Sequence, residues 1–234
     1  MKKIIISFIL ILLFTSCATS NYVTKDTISK ILKKNVEVWT LDECNEIINF
    51  YTSGNISNQL LTVGYVNPKV KIKSTLLNTL SIKAIAKKEV IEKRLSENDY
   101  YKILKSYLIE FTNFTYDEKL NKIVETGSDS LKGYSFKMYF ENISSPYEPI
   151  FLEDGYSYFF LENMNGEFSR VMNVSGLFVE DYFQLDGYLN AIITFSPFTE
   201  NGKPIFNSKD LNENYKIVFN GLQTEPITIS WKVM

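Results

Sequence analysis

The chain has 234 residues, with 25 Lys+Arg against 27 Asp+Glu, no histidine and two cysteines; 45% of it is apolar and 15% aromatic. Such a chain can bury a full core, as one domain or two small ones, and its composition excludes an intrinsically disordered protein. The missing histidine removes Ser-His-Asp and Cys-His catalysis and any imidazole metal ligand, and the slightly acidic balance makes nucleic acid a poor partner.

In chain order, Lys2 and Lys3 open a signal-like segment, followed by an apolar run from Ile4 to Phe14 broken only by Ser7. That run covers 11 residues, where a spanning helix needs about 20. Small or polar Thr15 and Ser16 then precede Cys17, the plan of an export signal occupying residues 1–16. The stretch Leu13-Phe14-Thr15-Ser16-Cys17 resembles the lipobox of bacterial lipoproteins, in a relaxed form with Phe14 where that family usually carries Leu. The resemblance implies cleavage before Cys17, a diacylglycerol on its sulfur, an acylated new amine and attachment to an envelope membrane by lipid. Two or more acyl chains anchor stably where one alone is marginal. By the same resemblance Ala18 after the cysteine, in place of aspartate, favours the outer membrane. It leaves open which face of that membrane the protein occupies.

Residues 17–26 read as a polar, lipid-anchored tether, and 27–130 as a mostly helical region. Thr40-Leu41-Asp42-Glu43 is a capping box, with Cys44, Ile47, Ile48 and Tyr51 forming one helical stripe behind it. Gly54-Asn55 ends that helix, and Leu60 to Val66 reads as a strand before Pro68. From about Ser74 to Leu95 the spacing of Leu77, Leu80, Ala84, Ile91 and Leu95 predicts a second helix. Ser96 caps a third, bearing Tyr100, Ile103, Leu104, Tyr107 and Phe111, while Ile109 to Tyr116 reads equally as strand. Once Cys17 is lipidated Cys44 stands alone, so no intrachain disulfide forms. On an apolar helix face it is expected to act as a small buried hydrophobe.

After Gly133 the period changes to two. Tyr134, Phe136, Met138 and Phe140 alternate with polar or outward residues, as do Leu189, Ala191, Ile193 and Phe195, and Ile227, Ile229, Trp231 and Val233. Asp154-Gly155, Asn165-Gly166, Asp186-Gly187, Asn201-Gly202 and Asn220-Gly221 supply the positive φ angles of tight turns. The expected fold is therefore α+β, a helical N-terminal part followed by an antiparallel β-sandwich over 131–234. The segment Phe136 to Ile150, with Glu141-Asn142-Ile143-Ser144-Ser145-Pro146 after an alternating strand, is similar to immunoglobulin-like accessory domains of exported bacterial proteins. That similarity assigns no functional residue.

Chemistry-bearing motifs are few. No Gly-rich phosphate loop, no G-x-G-x-x-G and no Asp-x-Asp-x-Asp-Gly calcium loop occurs. Charge is segregated: Lys69, Lys71, Lys73, Lys83, Lys87, Lys88, Lys93 and Arg94 cluster against only Glu89 and Glu92, whereas Glu141 to Glu200 holds ten acidic residues and Arg170 alone. The basic stretch suits either an anionic envelope surface or the solvated face of a helix. In the acidic half, Glu153, Asp154, Tyr156, Glu180, Asp181, Asp186 and Tyr188 combine carboxylates with rings, as a sugar site requires, although alternate aromatics also fill a core. Two of those carboxylates would serve glycan hydrolysis if held about 5–10 Å apart. These residues are the candidate ligand-binding set, and no cofactor or metal is expected. The functional expectation is a non-catalytic, membrane-anchored binding or assembly module for an envelope protein. A carbohydrate-binding or carboxylate-dependent glycan-hydrolysing lipoprotein is the alternative.

Overall fold

The computed structural model describes residues 25–56, 70–127, 132–142, 150–153, 159–176, 182–185, 188–207, 214–219 and 227–231. Helix α1 spans Lys25–Leu32, a 3-10 turn Val36–Val38, α2 Leu41–Phe50, α3 Thr79–Lys93 and α4 Glu97–Phe111. The strands are β1 Thr52–Ile56, β2 Val70–Leu76, β3 Phe114–Asp117, β4 Lys122–Glu125, β5 Tyr134–Asn142, β6 Ile150–Glu153, β7 Phe159–Asn163, β8 Phe168–Gly176, β9 Tyr182–Leu185, β10 Tyr188–Phe195, β11 Tyr215–Phe219 and β12 Ile227–Trp231. Every described ladder is antiparallel. The class is α+β.

Eight strands form one sheet in the order β1-β2-β5-β10-β8-β7-β11-β12. Antiparallel neighbours alternate in direction, so the two outermost strands also oppose each other, and β1 and β12 come within 8 Å of one another between Cα atoms. The sheet thus curls almost into a barrel. Period-two alternation decides what faces inward: Ile72 and Leu76 of β2, Phe136, Met138 and Phe140 of β5, Ile193 and Phe195 of β10, Phe159 and Leu161 of β7, and Ile217 and Phe219 of β11 are all buried in one cluster. Rings interlock across it, with Phe159 stacked on Phe219 at 4.5 Å and Phe136 edge-on to Phe195 at 5.7 Å. Eight strands enclose an interior just wide enough for side chains. This one is filled.

The helices pack outside the sheet. Each of the three longer ones starts on a capping box. The Glu43 amide donates to Thr40 Oγ1 at 3.2 Å while the Thr40 amide donates to Glu43 Oε2 at 2.9 Å. Asn78 and Ser96 repeat the arrangement. One stripe of α3, Ile82, Ala86 and Val90, joins Tyr100, Leu104 and Leu108 of α4, with the outward Ile192 of β10 against them. The other, through Ala84, meets Ile28, Ile31, Cys44 and Ile47 of the first two helices. Tyr51 touches both this layer and the barrel core.

The expected β5, β10 and β12 are present, as are the caps at Thr40 and Ser96 and the left-handed Gly166 and Gly202. Other expectations need correction. Ser74 to Leu76, expected to open a helix, instead end the strand Val70–Leu76, and α3 begins only at Thr79. The reason is register: β2 is paired on both sides, with β1 and β5, and this outweighs the helical spacing that begins at Leu77. Gly54-Asn55 does not end a helix by a turn but lies inside β1. The N-terminal part holds all the described helices together with β1 to β4. Its β2 pairs with β5 across residue 131. The expected strand Leu60 to Val66 lies outside the described residues. So do Asp154-Gly155, Asp186-Gly187 and Asn220-Gly221.

Candidate functional site

Cys17 and the whole export segment lie outside the described residues, as do Asp154, Tyr156, Glu180, Asp181 and Asp186. Two members of the acidic-aromatic set have a described backbone position. Glu153 ends β6 opposite Tyr182, and Tyr188 opens β10 opposite Glu141, so the two belong to different ladders. The basic stretch is divided as well. Lys73 is exposed on β2, whereas Lys83, Lys87, Lys88 and Lys93 ride on α3. There Lys93 pairs with Glu89 at 2.6 Å and Lys88 lies 3.7 Å from Glu92. Two of the four α3 lysines are therefore ion-paired along the helix.

Two arrangements stand out among the described side chains. The first is the outer face of the β7–β8 hairpin. Because Phe159, Leu161 and Asn163 point inward, Phe160 and Glu162 point outward. On β8 the buried Ser169 leaves Phe168, Arg170 and Met172 outside. Phe160 and Phe168 meet edge to face at 5.4 Å. The Arg170 guanidinium sits 5.6 Å from the Phe160 ring centre and donates to Glu200. Around this cluster Met164, Phe168, Met172 and Phe198 are 74%, 37%, 57% and 39% exposed. Beside it a depression of about 250 Å³ is lined by Glu162, Met164, Asn214, Lys216 and Ser230, with Lys216 paired to Glu162 at 2.7 Å. Scattered surface apolar residues are ordinary, but exposed Phe and Met on the strand that carries a ring-stacked arginine are the residue types in which interface cores are enriched. The row Phe168-Arg170-Met172 was available to sequence reading as an outward period-two set.

The second arrangement is a cavity of about 200 Å³ in the helical layer, walled by the 3-10 turn, α3, α4 and the β3–β4 hairpin. Asn35 caps the turn and holds Glu37 at its rim. Tyr101 stacks on Tyr116 at 4.8 Å and donates to Glu37 Oε1 at 3.4 Å, and Tyr116 donates to Asn121. Lys83 lines the same space, where burial lowers the pKa of its ammonium below the usual lysine range. Burial also pushes the Tyr101 hydroxyl up to about 12. Outside the cavity, Glu97 lies against Glu37, which holds its carboxyl above the usual range. Cys44 is buried and its thiol is pushed up to about 11, chiefly by burial, so it behaves as an inert hydrophobe at neutral pH.

Among the described residues no group of three or more His, Cys, Asp or Glu is placed to hold a metal ion. Likewise, no described helix is long and apolar enough to cross a membrane. Comparison with family models, curated proteins and solved structures finds no match to this chain.

Proposed function

We propose that this chain is a lipid-anchored envelope lipoprotein, tethered through Cys17, that acts as a non-catalytic binding or assembly module for another envelope protein. The observation that carries the reading is the outer face of β7 and β8. It pairs exposed Phe168 and Met172 with Phe160 and the anchored Arg170 guanidinium. A filled barrel interior supports the same view, because recognition then falls to outer surfaces and loops. The lipobox-like Leu13 to Cys17 supplies the tether, and Ala18 after the cysteine favours the outer membrane. We further propose that the near-closed sheet is a flattened sandwich, β1-β2-β5-β10 facing β8-β7-β11-β12, since one core draws side chains from both halves.

The glycan reading rests on Glu153, Asp154, Tyr156, Glu180, Asp181, Asp186 and Tyr188. Crosslinking of the anchored chain in intact cells, followed by pulldown with cell-wall polymer, separates the two. A protein adduct indifferent to added neutral sugar supports the module. Retention on polymer that free sugar reverses, lost on Tyr188→Ala and unaccompanied by any protein adduct, overturns it in favour of a glycan binder.

A further inference from the structure

The lysines of α3 differ in how their charge is met. Lys87 donates to the Glu37 carbonyl at 2.8 Å, Lys88 to Asn45 Oδ1 at 2.9 Å and Lys93 to Glu89 at 2.6 Å. Lys83 has no hydrogen-bond or ion-pair partner among the described residues, and it is the α3 lysine that lines the 200 Å³ cavity. A half-buried ammonium without a partner is costly, and burial already lowers its pKa. An anion in the cavity removes that cost. Two further groups reach the same space. Tyr100 is buried, and its hydroxyl has no hydrogen-bond partner among the described residues. Asn121 accepts from Tyr116 through Oδ1, which leaves its amide N–H groups available as donors.

The remaining lining narrows the ligand. Leu104, Val36 and Ile123 and the Tyr101 and Tyr116 rings give apolar walls, while Glu37 at the rim is an acceptor for hydroxyl donors. At about 200 Å³ the space is smaller than the roughly 300–1,000 Å³ of a drug-sized site, and so suits a single ring or a short chain. A bare inorganic anion would satisfy Lys83 but leave the rings and Glu37 unused.

We propose that this cavity binds a small hydroxylated carboxylate of the sugar-acid class, with Lys83 and Tyr100 holding the carboxylate and Asn121 and Glu37 meeting the hydroxyls. The site is built from other elements than the β7–β8 face. Its failure would therefore leave the docking proposal untouched, and the reverse holds too.

The test is calorimetric titration of the full chain in detergent with glucuronate, glucose and inorganic phosphate. Glucuronate should bind, and glucose, lacking the carboxylate, should bind at least about tenfold more weakly, the scale of a lost charge-assisted hydrogen bond. Phosphate should bind no better than glucose. Lys83→Met should lose at least that factor while its thermal midpoint stays level or rises, because an unpaired buried charge is gone. Lys83→Arg should restore part of the affinity. Tyr100→Phe, which keeps the ring, should weaken glucuronate several-fold without altering stability appreciably, and it serves as the readout should Lys83→Met fail to fold. Absence of glucuronate binding, equal affinity for glucose, or affinity unchanged in both Lys83→Met and Tyr100→Phe would overturn the assignment.

Discussion

Ser74 and Ser169 carry hydroxyls into the barrel core, and neither finds a hydrogen-bond partner among the described residues. A buried hydroxyl without a partner costs free energy, so Ser74→Ala, which keeps the backbone and Cβ, should stabilise the fold by about 1 kcal/mol. A urea midpoint that falls on this substitution would show that the hydroxyl is satisfied after all. Titratable residues make a second prediction. Cys44 is pushed to about 11 from 9.0, and Tyr101 and Tyr107 to about 12 from 10.0, each mainly by burial. The folded state holds these protons more tightly than the unfolded chain. The stability they contribute is therefore complete below about pH 9 and is lost as pH rises toward 11 to 12. Lys83, shifted downward, works against this trend but is one group against several. Urea midpoints measured from pH 8 to 11 should decline above pH 9, and a flat profile would contradict the burial of these groups. Cys44 was legible as a buried hydrophobe from its helical stripe alone. The Lys83 cavity was not, because Tyr100, Tyr116 and Asn121 converge on it only once the β3–β4 hairpin folds back on α4.

At the scale of elements, what was legible is what is locally determined. Thr40 with Glu43, and Ser96 with Asp99, declare helix starts through bonds between residues three apart. Tyr134 to Phe140 declares a strand through alternation that one buried face enforces. What was illegible depends on partners far along the chain. The segment Thr-Ser-Gly-Asn-Ile at 52–56 has turn composition and becomes β1 because β2 pairs with it. Val70, Ile72, Ser74 and Leu76 do alternate, but the spacing from Leu77 onward extends a helical reading back to Ser74. The pairing of β5 with β10 also explains Gly133. A Cβ there would sit 2.1 Å from the Phe195 carbonyl oxygen and 2.7 Å from Thr194 Cγ2. Since the nearer obstacle is backbone, Gly133→Ala must separate the strands, and a loss of about 1–3 kcal/mol or more is expected, as for overpacked cores. Thermal unfolding checks this directly. A midpoint unchanged by Gly133→Ala would mean that the two chains do not approach so closely.

At the scale of the whole molecule, a filled and nearly closed barrel carries a helical layer on its outer side, and the lipid tether at Cys17 is a proposal. The helices cover Ile192 on β10 but leave the row from Phe168 to Met172 exposed. That asymmetry is why the free face is assigned to a partner and the covered one to stability. At this scale the sequence offers only the proposed tether, from Leu13 to Cys17, which lies outside the described residues. The free face became visible when the register of β7 and β8 fixed which residues point out. The most direct measurement is photo-crosslinking in intact cells from a reactive side chain placed at position 172, with position 119, exposed on the β3–β4 turn, as a control. A discrete protein adduct should form from 172 and not from 119, and Phe168→Glu should abolish it while leaving the thermal midpoint within a few degrees. No adduct from 172, or equal adducts from both positions that survive Phe168→Glu, would contradict the assignment of this face to an envelope protein.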